Sequence, residues 1–256
     1  MTDINWLGLW TLYKREVWRF LKVMNQTLLA PIVTTLLFLA VLTLSLAGHD
    51  RTVDGVPYAH FIAPGLIMMA VVQNAFANTS SSLMLSKFQG VIIDLLMPPF
   101  TGAEITFSLT MGGVTRGALV GTVVAASVYF FVPFTVYHWG AAIFFILASS
   151  LMLALLGLLT GIWSNSFDQL SAITNYIITP LSFLSGTFYS IRQLPTFWYG
   201  VCHYNPFFYM IDGFRYALTD YADGSIKTGI AVLIATDLIL WYIAQRLITK
   251  GYRLKT

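Results

Sequence analysis

Charge is what this 256-residue chain has least of. Only 10% of its residues are charged, 14 Lys and Arg against 11 Asp and Glu, whereas 57% are hydrophobic and the mean hydropathy is +0.74. A soluble domain carries about a quarter charged residues, so a water-soluble enzyme and a disordered chain are both excluded and lipid is implied as the solvent. The net charge of +3 is too small to point to nucleic acid. A single cysteine, Cys202, excludes a disulfide framework and any cysteine-built metal site within the chain. No phosphate-cradling G-x-x-x-x-G-K-[ST] run occurs, which excludes ATP binding in the usual way. Neither H-E-x-x-H nor paired acids on a helix face occur, so no catalytic cluster stands out. The four histidines (His49, His60, His138, His203) sit near loop edges without ligand spacing.

The long uncharged runs locate the membrane segments. Residues 23–49, 55–86, 117–167 and 169–191 carry no charge, and after Lys227 only Asp237 interrupts an apolar stretch reaching Arg246. A crossing helix needs about 20 apolar residues, and helices satisfy their own backbone hydrogen bonds in lipid. The longest run divides at Pro133–His138. The expected fold is therefore all-α and integral to the membrane, with six transmembrane helices near 28–48, 61–80, 114–133, 139–163, 170–188 and 228–245. With six spans both termini share a side. That side collects Lys14, Arg15, Arg19, Lys22, Lys87, Arg116, Arg246, Lys250, Arg253 and Lys255, against Arg51, Arg192, Arg215 and Lys227 on the other. The positive-inside bias puts both termini in the cytoplasm.

Three stretches lie outside the spans. Residues 1–25 set Trp6, Leu9, Trp10, Tyr13, Val17, Phe20, Leu21 and Met24 on one helical face, as in an amphipathic helix lying in the interface. It serves equally as a topological anchor or as a platform for a cytoplasmic partner. Residues 86–99 form a short cytoplasmic helix whose apolar stripe (Phe88, Val91, Ile92, Leu95, Leu96) needs a cover, with Pro98-Pro99 as its stop. Residues 189–227 are external. They are interrupted by Pro195 and Pro206, and a helix begins at the Asn205 cap. A re-entrant helix pair between the fifth and sixth spans fits this pattern, with Asp212 and Arg215 three apart and able to pair.

Polar residues form two stripes. Gln73, Asn74, Asn78, Ser81 and Ser82 gather on the second span, and Ser171, Asn175, Thr179, Ser182 and Ser185 on the fifth. Amides inside a membrane face protein or water. Each residue alone reads as a helix–helix hydrogen bond worth about 0.6–2 kcal/mol, whereas two stripes together read as a pathway. Asn74, Asn78, Asn175 and Ser182 would then line one cleft, and the aromatic neighbours Phe76, Tyr176, Phe183 and Phe188 suit an amphipathic or glycan-bearing cargo. The G-x-x-x-G spacings at Gly113, Gly117 and Gly121, and at Gly157 and Gly161, read as helix packing within one subunit. Asp237, mid-span, reads as a protonated or hydrogen-bonded structural acid, against the proton carrier of a self-sufficient secondary transporter or channel.

Pro180-Leu181-Ser182-Phe183-Leu184-Ser185-Gly186-Thr187-Phe188-Tyr189, then Leu194-Pro195, then Asn205-Pro206-Phe207-Phe208-Tyr209-Met210-Ile211-Asp212-Gly213-Phe214-Arg215 resemble the C-terminal signature of the ABC type-2 transporter permeases. Lys87-Phe88-Gln89-Gly90 with Asp94-Leu95-Leu96-Met97-Pro98 stands where that family has its coupling helix. Many members are more acidic there, and this version looks closer to the branch with nodulation-factor export permeases. The resemblance covers essentially the whole chain, a single permease domain over 1–256. It implies an inner (plasma) membrane exporter of an amphipathic, lipid- or glycan-type substrate, or a drug efflux permease of the same type. It implies two copies of a separate ATP-binding subunit, which hold ATP and Mg, and a second permease copy as homodimer partner. This chain itself would be no enzyme and hold no cofactor or metal. By the same resemblance, substrate passes Gln73, Asn74, Asn78, Asn175, Tyr176, Thr179, Ser182 and Phe183. The ATPase rests on Lys87, Phe88, Gln89, Asp94, Arg15 and Arg19. Phe188, Asn205, Pro206, Tyr209, Asp212 and Arg215 build the external gate.

Overall fold

The computed structural model describes residues 5–46 and 52–254. His49, Arg51 and Lys255, used above, lie outside the described residues. The chain is mostly helical, and among the described residues five helices are long and apolar enough to cross a membrane. They are α2 (Met24–Leu46), α3 (Tyr58–Phe88), α5 (Gly102–Tyr129), α6 (Trp139–Trp163) and α11 (Ile226–Thr249). α1 (Trp6–Leu21) precedes them, a two-residue-strand hairpin (Thr52–Val53 with Val56–Pro57) joins α2 to α3, and α4 (Ile92–Leu96) lies between α3 and α5.

The expected fifth span is an interrupted helix. α7 (Phe167–Ile173) and α8 (Thr179–Leu184) flank a π-helical turn, Thr174–Ile178. Pro180 explains it. Proline has no N–H to donate and its ring crowds the preceding turn, so the helix widens just before it, and the Thr179 amide reaches back five residues to the Thr174 carbonyl. Beyond it follow a 3-10 turn (Ile191–Gln193), α9 (Thr196–His203) and α10 (Pro206–Thr219).

α3 is the axis of the bundle. It is buried along nearly its whole length, against α6 and α5. The glycine spacings make this close approach possible. A Cβ at Gly113 would stand 2.7 Å from that of Ala154, and one at Gly157 would overlap the Phe76 carbonyl oxygen. At about 1.5 Å per residue, α3's 31 residues span about 46 Å, more than a hydrocarbon core of about 30 Å.

Two boundaries and one packed face correct the sequence reading. α5 begins at Gly102, not near 114. Its start is set by a capping box, Thr101 with Glu104, and Glu104 Oε1 also accepts the Asn5 amide at 2.8 Å. The acid is therefore satisfied at the helix end, and Arg116 lies inside the helix. The short helix expected over 86–99 shrinks to α4, because α3 runs on to Phe88 and Gly90, at φ 72°, breaks the chain. The third correction concerns α1. It packs along the first half of α5, with Ser108 Oγ donating to the Leu9 carbonyl at 3.2 Å and Tyr13 Oη 2.9 Å from Thr115 Oγ1. Its packed face is Leu12, Glu16 and Phe20, while Trp6, Trp10 and Trp18 stand exposed.

Candidate functional site

A groove of about 420 Å³ opens between α2, α3 and α8. It is lined by Gln73 and Asn74 from one predicted stripe and by Thr179 and Phe183 from the neighbourhood of the other. α2 adds Gln26, Thr34, Thr35 and Phe38. Because α2 and α3 run in opposite directions, the lining sorts along the groove. Gln26, Gln73 and Asn74 lie toward the α1 end, and Phe38, Leu66 and Phe183 toward the hairpin end. There Phe188 continues the aromatic wall, 5.4 Å from Phe183 and 6.4 Å from Phe38 between ring centroids. A larger recess of about 670 Å³, between Phe100–Gly102 and Gln245–Gly251, holds none of the predicted pathway residues.

The structure does not bring all of the pathway candidates to this groove. Asn78 is fully buried: Arg19 donates to its carbonyl at 2.6 Å and to its Oδ1 at 2.9 Å. Ser82 donates to Glu16 Oε2 at 2.7 Å, and the Arg19 Nε lies 3.3 Å from the same oxygen. The lower part of the α3 stripe is thus taken up by α1. Ser182 is buried and returns its hydroxyl to the Ile178 carbonyl at 2.8 Å. Asn175 and Tyr176 lie in the π turn and face outward, Tyr176 at 80% exposure.

Of the residues assigned to coupling, Phe88, Gln89 and Asp94 are exposed, and Ile93 and Met97 extend the apolar patch. Arg15 is also exposed, and its guanidinium lies 3.2 Å from Glu16. Arg19 and Lys87 are not free. Lys87 is buried and donates to the carbonyls of Gly161, Ile162 and Ser164 at 3.0, 2.7 and 3.0 Å, closing the last turn of α6. These are carbonyls that a helix end leaves without partners, and an ammonium also complements the helix dipole there.

Of the residues assigned to the gate, Phe188 belongs to the groove wall, while Asn205, Pro206, Tyr209, Asp212 and Arg215 lie at the opposite end, where Asp212 and Arg215 join a buried network. Asn205 caps α10 by accepting the Phe207 amide at 3.1 Å, and its amide donates to Ser185 Oγ at 2.9 Å. Pro206 follows as the first helical residue. Tyr209 donates to the His203 carbonyl at 3.0 Å. Arg215 is fully buried and stacks 4.0 Å from the Phe61 ring centroid. It donates to the Phe61 and Gly186 carbonyls and lies 3.6 Å from Asp212 and 4.0 Å from Asp223. Asp212 accepts the Asp223 and Gly224 amides at 2.8 and 2.9 Å. Asp223 accepts Ser190 Oγ at 2.6 Å. The Tyr221 hydroxyl, 2.7 Å from Asp223 and 2.6 Å from Asp54, has one proton for two carboxylates. Burial and those two carboxylates push the Tyr221 phenol well above its ordinary range.

Residues 8–219 match the family of ABC-2 type transporters. The chain belongs to that family. It is 36% identical over 256 residues, the full length of both chains, to the inner membrane transport permease YadH of Escherichia coli K12. It is 24% identical over 254 residues, 96% of this chain and 95% of the other, to nodulation protein J of Rhizobium leguminosarum bv. viciae, and 25% identical to nodulation protein J of Rhizobium meliloti over 82% and 80%. The chain is thus a membrane transport permease, and permeases of this family work with an ATP-binding subunit.

Within such a permease the residues that sequence reasoning missed are Glu16, Asp54 and Asp223. Glu16 is 1% exposed on a helix read as amphipathic, and its only sequence signal was an acid set among basic residues. Asp237, for its part, is buried with Oδ1 lacking a partner among the described residues.

Lys87 now carries a prediction of its own. Lys87→Met should destabilise the permease by about 1–3 kcal/mol, because three carbonyls of one helix end lose their donor together. Thermal unfolding in detergent checks this. Lys87→Arg should retain part of the stability, and an unchanged midpoint for Lys87→Met would remove the cap from the account.

Proposed function

We propose that this permease is the membrane half of an ATP-driven exporter. Two copies of the chain pair with two copies of a separate ATP-binding subunit, which holds ATP and Mg. Six segments span the inner membrane: the five long helices and the interrupted helix Phe167–Leu184, which at about 1.5 Å per residue is close to a core thickness. Both termini are cytoplasmic, on the side richer in Lys and Arg. α9 and α10 form the external re-entrant pair. The name of YadH, an inner membrane transport permease, supports the location.

One observation carries this reading. Gln73 and Asn74 meet Thr179 and Phe183, about a hundred residues away, in a single groove that is polar at one end and aromatic at the other. Such a lining suits an amphipathic molecule, a lipid or a lipid-linked glycan, that leaves the inner leaflet. The exposed Phe88, Ile93, Asp94 and Met97 at the end of α3 and on α4 supply the surface for the ATPase. A self-sufficient transporter would have no use for such a patch on that side.

The experiment is coexpression with the cognate ATP-binding subunit. Phe88→Ala combined with Asp94→Ala should leave the permease folded and in the membrane. It should either release the ATPase or leave ATP hydrolysis running without transport. Normal assembly together with normal transport in the double variant would remove the coupling assignment.

A further inference from the structure

Among the described residues four cations are buried or half-buried in the packed core, and three of them are accounted for. Arg19 lies against Glu16, Lys87 against three carbonyls of α6, and Arg215 against Asp212 and Asp223. Arg116 is different. It stands near the middle of α5, and among the described residues no carboxylate pairs with it. Its Nε is buried without a hydrogen-bond partner. Among the described residues its hydrogen bond goes to a neutral group, the Asn74 Oδ1 at 3.1 Å.

Asn74 is also part of the groove wall. An uncompensated guanidinium therefore stands one hydrogen bond behind the polar end of the groove. No acidic side chain lines that groove to neutralise it. In a medium of low dielectric such a charge is retained where something of opposite sign answers it.

Resting on the reading of the groove as the cargo pathway, we infer that the cargo is an anionic amphiphile: a phosphate or carboxylate headgroup held at Asn74 with Arg116 as its counter-charge, and an apolar tail along Phe38, Leu66 and Phe183. A long-chain phosphate from the membrane itself and a dedicated anionic cargo share this chemistry, and the experiment separates them.

The full chain is placed in nanodiscs of phosphatidylcholine. Two probes are titrated by fluorescence, a dansyl-labelled C12 alkyl phosphate and an uncharged dansyl-labelled C12 maltoside. The phosphate should bind at least about tenfold more tightly, as befits one charge-assisted contact in a partly buried site. Arg116→Gln should abolish that preference and leave the maltoside affinity unchanged, and Arg116→Lys should keep most of it. Equal affinities in the unaltered protein, which need no variant to fold, would overturn the inference. So would a preference that survives Arg116→Gln. Doping the discs with phosphatidylglycerol then identifies the anion: displacement of the phosphate probe assigns the site to a membrane lipid headgroup, and no displacement assigns it to a separate cargo. The groove reading fails on a different result, maltoside binding that is unaffected by Thr179→Trp.

Discussion

Arg215→Met should collapse the hairpin end of the permease. The guanidinium is fully buried and lies against Asp212 and Asp223, both themselves buried. Asp223 also meets Arg192 at 3.5 Å, so Asp212 is the acid that depends on Arg215 for its counter-charge. Removing one partner of a buried ion pair costs about 3–5 kcal/mol, more than replacing the whole pair, because the remaining charge stays in low dielectric uncompensated. The substitution also withdraws the donor from the Phe61 and Gly186 carbonyls, which come from α3 and from the turn after α8. Three separate segments lose one common anchor. The expected observation is a sharp fall in thermal unfolding midpoint and early proteolysis between Tyr189 and Thr228, while the α3–α5–α6 core survives longer. Arg215→Lys should rescue only in part, since an ammonium lacks the planar fork that reaches carbonyls and carboxylates together. A midpoint for Arg215→Met equal to that of the unaltered protein would mean that the network is ornament rather than anchor.

The same network shows what could be read from the chain and what could not. Asp212 and Arg215 are three apart on one helix, so their pairing follows from local geometry. Asp54 and Asp223 join them from 167 and 2 residues away from Tyr221, and nothing local announces that. The spans divide in the same way. α6 occupies Trp139–Trp163 as expected, because an uncharged run bounded by the Pro133 turn leaves no other solution. α5 starts twelve residues before the expected position, because Arg116, which closes the uncharged run 117–167, read as the mouth of the span. Glu104 is instead satisfied by a cap and by Asn5, and Arg116 sits inside the bundle with Asn74 Oδ1 as a neutral hydrogen-bond partner. A charge marks a boundary only when the fold offers it no partner. For the groove, spacing put Gln73, Asn74 and Thr179 on two polar stripes, and all three line the one groove. It could not reveal that α1, some sixty residues away, would fold back and occupy Asn78 and Ser82.

That last point yields opposite outcomes for two neighbouring glutamine and asparagine positions on one helix. Gln73 lines the groove and is only partly buried, whereas Asn78 is enclosed, with its carbonyl and amide oxygens both holding Arg19. Gln73→Trp should therefore fill the groove without disturbing the bundle. The protein should purify with its ATPase, hydrolyse ATP, and lose both transport and binding of the uncharged C12 maltoside probe. Asn78→Trp should instead cost about 1–3 kcal/mol for overpacking a closed site. It should cost about 1.5–3 kcal/mol more for the charge-assisted bond withdrawn from Arg19. Arg19, Glu16 and Ser82 would then have to rearrange together, so α1 should detach from α3 and the complex should fail to assemble. Size-exclusion profiles of the two variants beside a binding titration decide the matter. If Asn78→Trp assembled normally and lost only transport, the pathway would have to extend down α3 beneath α1. If Gln73→Trp fell apart as well, the groove would be a packing defect rather than a passage.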